Sequence, residues 1–140
     1  MHTYGRLISI LHRKAQVYMS EALHTYGLTA AEQPFLNALY HQDKVTQDQL
    51  SEHLKIDKAA TARTVQSLVN KGFVEKYKHD DDRRCNTICL TEKGKKSRAY
   101  LMPILDGWSE LITADLDEQT REIVYHALES MVEKVGYLHR

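Results

Sequence analysis

Apolar positions along this chain recur first at helical intervals, then at strand-like ones, then at helical ones again. From Thr3 to Thr25, Leu7, Ile8, Leu11, Ala15, Tyr18 and Ala22 keep the spacing of one helix face. Gly27 follows, the residue type that ends a helix in the left-handed conformation. Thr29-Ala30-Ala31-Glu32 reads as a capping box that starts a second helix. Pro34 lies in its first turns, where a missing N–H costs little, and the helix runs to Tyr40 or His41. Thr46-Gln47-Asp48-Gln49 is another capping box, opening a short helix with Leu50 and Leu54 inward. Lys55-Ile56 breaks it. Asp57 then caps a helix that ends at Gly72.

The period changes at Phe73. Phe73–His79 and Cys85–Thr91 are two β-runs joined by the charged turn Asp80-Asp81-Asp82-Arg83-Arg84. Thr91 is an N-cap for a long helix to about Ala114, with Leu101, Ile104, Leu105, Trp108, Leu111 and Ile112 on its apolar face and a kink expected at Pro103. Asp117 caps a last helix. There Val124, Leu128, Met131, Val135 and Leu138 form a heptad-like seam, more than a small lobe needs for itself and therefore suited to a partner subunit.

A helix pair followed by a β-ribbon is a DNA-reading arrangement: one helix enters the major groove and the ribbon reaches toward the minor groove. In the second helix of the pair, Ala62, Val65, Leu68 and Val69 make the expected buried stripe. Ala60, Arg63, Thr64, Ser67 and Lys71 make the opposite face, free of large apolar groups. Small residues near its start, Ala59 and Ala60, let backbone approach DNA, with Lys58 beside them and Arg63 and Thr64 as donors. At the ribbon tip Asp82 and Arg84 share a face, so the carboxylate can aim the guanidinium, with Arg83 beside them.

Composition supports a single domain, mostly α (α+β), of 140 residues with 42% hydrophobic and 27% charged content. No apolar run approaches a membrane span and no signal-peptide layout opens the chain, so a cytoplasmic protein without a membrane partner is expected. The net charge is zero, but its distribution is polar. Residues 55–98 hold 12 basic and 6 acidic residues, whereas residues 106–134 hold 2 and 8. The basic half coincides with the helix pair and ribbon. No Gly-rich phosphate loop or nucleophile elbow points to an enzyme, and no cofactor is implied. The histidines show no i, i+3 or i, i+4 pairing, so no metal site is expected. Cys85 and Cys89 fall four apart in one predicted strand, too far apart to bond each other.

These motifs in this order resemble the MarR family of winged helix-turn-helix transcriptional regulators. The resemblance runs from about Leu7 to Val135. It is carried by Thr46-Gln47 with Leu50-Ser51-Glu52-His53-Leu54, by Asp57-Lys58 through Arg63 to Leu68, by Lys71-Gly72-Phe73-Val74, and most specifically by Asp82-Arg83-Arg84 with Leu90-Thr91-Glu92-Lys93-Gly94. His79, where many relatives carry Asp, and the cysteine pair depart from the family pattern. The resemblance implies a winged helix-turn-helix fold with long N- and C-terminal dimerisation helices (1–27 and 92–140). Between them would lie a DNA-binding lobe at 29–91, with the helix-turn-helix at 46–71 and the wing at 73–91. It also implies a homodimeric repressor of double-stranded DNA, acting on a pseudo-palindromic operator and released by a small aromatic or lipophilic effector. The effector pocket would lie between lobe and terminal helices, among His12, Tyr18, Phe35, Tyr40 and Tyr100. Two other readings stand beside this one: a redox-responsive regulator acting through Cys85, which follows two arginines, and a winged module used only for protein contacts.

Overall fold

Most helix boundaries follow from a local rule of the sequence. In the computed structural model of the chain, which describes residues 1–78 and 86–138, helix α1 spans Gly5–Leu23 and passes into a 3₁₀ turn at His24–Tyr26. Gly27 closes it at φ +74°, with the Leu28 N–H reaching back to the Leu23 carbonyl at 3.3 Å. This is a Schellman ending. The Thr29/Glu32 box forms with both arms, at 2.9 and 3.2 Å. Helix α2 nevertheless begins at Gln33 rather than Thr29 and ends at His41. Pro34 has no N–H to bond the Ala30 carbonyl, so the box closes a turn instead of a helical first turn.

A two-residue strand β1 (Val45–Thr46) leads into α3 (Gln47–Leu54), whose Thr46/Gln49 capping box is complete. Helix α4 follows at Lys58–Asn70, capped by Asp57. Strands β2 (Val74–Lys78) and β3 (Asn86–Leu90) make the ribbon. Helix α5 (Glu92–Ile112) is capped by Thr91 and passes through Pro103 as one helix, and α6 (Glu118–Val135) is capped by Asp117.

The sheet is antiparallel in the order β1-β3-β2, with Val74 opposite Leu90 and Val45 opposite Ile88. Strand β1 is too short to show a period in the sequence. The Asp43 carboxylate secures the end of β3 by accepting the Leu90 N–H at 2.9 Å.

The core lies in the lobe between α1 and α5. Leu23, Leu36, Ile88 and Leu101 have no exposed surface, and Phe35, Val65, Leu68 and Phe73 are nearly as enclosed. The outer ends of the terminal helices are different. Leu7, Ile8 and Leu11 on α1 are exposed, and α1 buries Met19 and Leu23 instead. No residue of α6 is buried. All five seam positions stand open in the single chain, Leu128 at 50% and Met131 at 48% exposure.

Candidate nucleic-acid interface

The α3–α4 turn is set by bonds to one residue. Lys55 ends α3 in the left-handed region at φ +55°. The Ile56 N–H then reaches the Ser51 carbonyl at 3.1 Å. The Ile56 carbonyl in turn accepts the hydroxyls of Ser51 and, at 3.4 Å, Thr61. With both backbone groups of Ile56 bonded, the angle between the two helices is held. The Asp57 carboxylate accepts the Ala60 N–H at 2.7 Å and starts α4 in register.

Helix α4 is rotated from the expected setting. Thr61 rather than Ala62 joins Val65 and Leu68 in the buried stripe, while Ala62 and Val69 are half-buried. Thr61 is wholly enclosed because its hydroxyl has the Ile56 carbonyl to bond. Lys58, Ala59 and Arg63 are exposed, and so are Gln66 and Asn70, which the sequence pattern did not single out. The Arg63 side chain has no partner among the described residues. Ala60 and Thr64 are half-buried at the edge of this face, and the Thr64 hydroxyl donates back to the Ala60 carbonyl at 3.0 Å.

Ser67 and Lys71, expected on the open face, turn toward Glu32 instead. Glu32 is 2% exposed and is the one buried charged residue among those described. Its carboxylate accepts the Ser67 hydroxyl at 2.6 Å and the Lys71 ammonium at 2.7 Å. Burial pushes its pKa up, but the Lys71, Ser67 and Thr29 hydrogen bonds outweigh burial and hold it below the usual carboxylate range. Glu32 therefore does more than cap a turn: it ties the entry of α2 to the far end of α4.

The end of α4 is also locked to α5. Gly72 (φ +82°) gives a Schellman ending, with the Phe73 N–H on the Leu68 carbonyl at 3.0 Å. The Thr91 hydroxyl donates to the Gly72 carbonyl at 2.6 Å and the Lys93 ammonium to the Lys71 carbonyl at 2.7 Å. Gly94 lies so close to this junction that a Cβ would come within 2.1 Å of the Phe73 carbonyl oxygen.

The wing-tip residues Asp82, Arg83 and Arg84, together with Cys85 and His79, lie outside the described residues. Lys76 and Lys78 on β2 are exposed, and the Lys76 ammonium reaches Gln66 of α4. Cys89 on β3 is half-buried, and burial together with the Glu75 and Asp43 carboxylates pushes its thiol pKa up, away from thiolate.

The five candidate pocket residues are spread along α1, α2 and α5. Tyr18 packs on Trp108 with ring centroids 5.4 Å apart, and Tyr100 stacks on Tyr26 at 3.8 Å. The Tyr40 hydroxyl pairs with Ser97. Phe35 is core and His12 is exposed. Three of the five thus tie α1, the 3₁₀ turn and α2 to α5. A groove of about 930 Å³ opens elsewhere, between Glu52 and Lys55 of the lobe and the α6 side chains Tyr125, Leu128 and Val132. Among the described residues no group of three potential ligands is placed to hold a metal, and no helix is long and apolar enough to cross a membrane.

Comparison with known proteins places this geometry in a family. A sequence model of the MarR family matches residues 26–84. The uncharacterized HTH-type transcriptional regulator YybA of Bacillus subtilis (strain 168) is 30% identical over 124 residues, 89% of this chain and 83% of its own length. The crystal structure of a MarR transcriptional regulator from Methanosarcina mazei Go1 is 38% identical, superimposes with a TM-score of 0.87, and covers 93% of this chain and 94% of its own. S. aureus MepR, crystallised in complex with DNA, shares the fold at 22% identity and a TM-score of 0.86 over 96% of this chain and 99% of its own.

Proposed function

Because the chain belongs to the MarR family of winged-helix transcriptional regulators, we propose that it is a cytoplasmic, effector-released repressor that grips a pseudo-palindromic operator as a homodimer. The observation that carries this reading is the outer face of α4. Lys58, Ala59 and Arg63 stand exposed there without a large apolar side chain, on a helix held near its start by the Thr61 bond to Ile56 and at its far end by Lys71 on Glu32. Such a helix can lie in the major groove with Arg63 at base edges or phosphate and small residues where the backbone approaches. The ribbon then carries Arg83 and Arg84 toward the adjacent minor groove, with Asp82 orienting Arg84. That MepR, with the same fold, was crystallised on DNA supports this arrangement.

The second copy is argued from α6. A helix that buries none of its residues gains little from its own chain. The exposed Val124, Leu128, Met131, Val135 and Leu138 form a continuous apolar strip of the kind that marks a subunit contact. Helix α5 joins that contact to the base of the wing, so an effector that displaces the contacts of Tyr18, Tyr40 or Tyr100 with α5 and the 3₁₀ turn would change the spacing of the two α4 helices and release DNA.

Arg63→Ala and Arg84→Ala should each weaken operator binding at least tenfold in a gel-shift titration, with the melting temperature nearly unchanged, since each removes an exposed or tip guanidinium. Affinity should also fall steeply with salt. Salt-insensitive retention on heparin with undiminished binding by both variants would overturn the reading and favour a protein-contact module.

A further inference from the structure

Gln66 lies one turn beyond Arg63 on the exposed face of α4. Its carboxamide is held by two neighbours. Nε2 donates to Asn70 Oδ1 at 2.9 Å, and Oε1 accepts from the Lys76 ammonium on β2 at 3.3 Å. An ammonium can only donate, so Lys76 decides which end of the amide is oxygen. The side chain is thereby oriented in the free protein, and less rotamer freedom remains to be lost on binding.

The count of unused valences is informative. A primary amide has two acceptor lone pairs and two N–H donors. One of each is taken by Lys76 and Asn70, which leaves one acceptor and one donor on an exposed side chain. Adenine shows the complementary pair in the major groove, an N6 donor beside the N7 acceptor. Guanine shows two acceptors there and leaves Oε1 unmatched.

We propose that Gln66 reads an A·T pair in each half-site, with Asn70 and Lys76 as the positioning residues that aim its amide. This rests on the DNA-binding reading above and adds a base preference that the family membership does not specify. The side chains involved are exposed, so their replacement leaves the fold intact.

Selection from random duplexes by the intact protein tests it, with parent, Gln66→Ala and Gln66→Glu run in parallel. The parent is expected to prefer A·T at one position per half-site by roughly five- to 150-fold. Gln66→Ala should lose that preference alone, keeping the other positions and the salt dependence. Gln66→Glu, which offers only acceptors, should move the preference toward cytosine, whose N4 group donates. Lys76→Met should blunt the same position. Identical base preferences in parent and Gln66→Ala would overturn the proposal and leave the amide as an ordinary wet helix contact. A parent that selects no sequence would overturn the DNA-binding reading itself, and that result appears before any variant is compared.

Discussion

Replacing Glu32 with glutamine should loosen the hold of the lobe on α4. The carboxylate is 2% exposed and takes the Thr29 N–H at 2.9 Å, Lys71 at 2.7 Å and Ser67 at 2.6 Å. Thr29 and Lys71 share one carboxylate oxygen and Ser67 takes the other. Glutamine can keep the shared oxygen and turn its NH₂ group to the Ser67 hydroxyl, but it loses the negative charge that faces the Lys71 ammonium. Breaking a fully buried ion pair from one side costs about 3–5 kcal/mol. The Lys71 side chain, however, keeps 32% of its surface in solvent and can rehydrate. The expected loss is therefore smaller, about 2 kcal/mol, or a melting temperature lower by roughly 6 °C at fixed protein concentration. The pH dependence follows from the lowered folded pKa. With the unfolded value near about 4.3, the carboxylate's contribution is complete above that pH and is lost as pH falls through the folded value. The gap between parent and variant in urea unfolding should stay constant from neutrality to about pH 5 and close below pH 4. A gap under about 0.5 kcal/mol at pH 7, within the scatter of surface substitutions, or one that widens on acidification, would refute the argument.

Gly94→Ala should destabilise by about 3 kcal/mol or more, because a methyl 2.1 Å from the Phe73 carbonyl oxygen must push backbone apart and overpacking outweighs the gain of up to about 1 kcal/mol in helix propensity; urea unfolding measures it. Lys55→Gly should stabilise by about 0.5–1 kcal/mol, since Lys55 holds φ +55° where glycine is unstrained and its ion pair with Glu52 is largely solvated; a lower melting temperature would contradict this. Leu128→Asp, in the middle of the exposed α6 seam, should shift the protein from dimer to monomer in sedimentation velocity at micromolar concentration.

Local chemistry was legible before the structure. The caps at Thr46, Asp57, Thr91 and Asp117 and the helix ends at Gly27 and Gly72 all form at the residues expected. Each depends on groups within about five residues, so nothing distant has to be known. The two ribbon strands were legible for the same reason: the apolar period changes at Phe73, and a charged turn separates the runs. What failed was anything depending on contacts across the chain. The buried stripe of α4 includes Thr61 because of the Ile56 carbonyl, and Ser67 and Lys71 leave the open face for Glu32, 35 and 39 residues away. Neither periodicity nor hydrophobicity encodes a buried carboxylate that draws polar residues inward. Gln66 came into view only through that rotation and through Lys76 on a neighbouring strand. The capping box at Thr29 was correctly placed, but the helix starts later, because Pro34 breaks the ladder behind it. Sequence alone thus determined the helices and the two ribbon strands, and most of their ends, since those choices are made by near neighbours. Tertiary structure decided which way α4 turns and which of its side chains DNA can reach, since a helix's rotation is set by the groups packed against it.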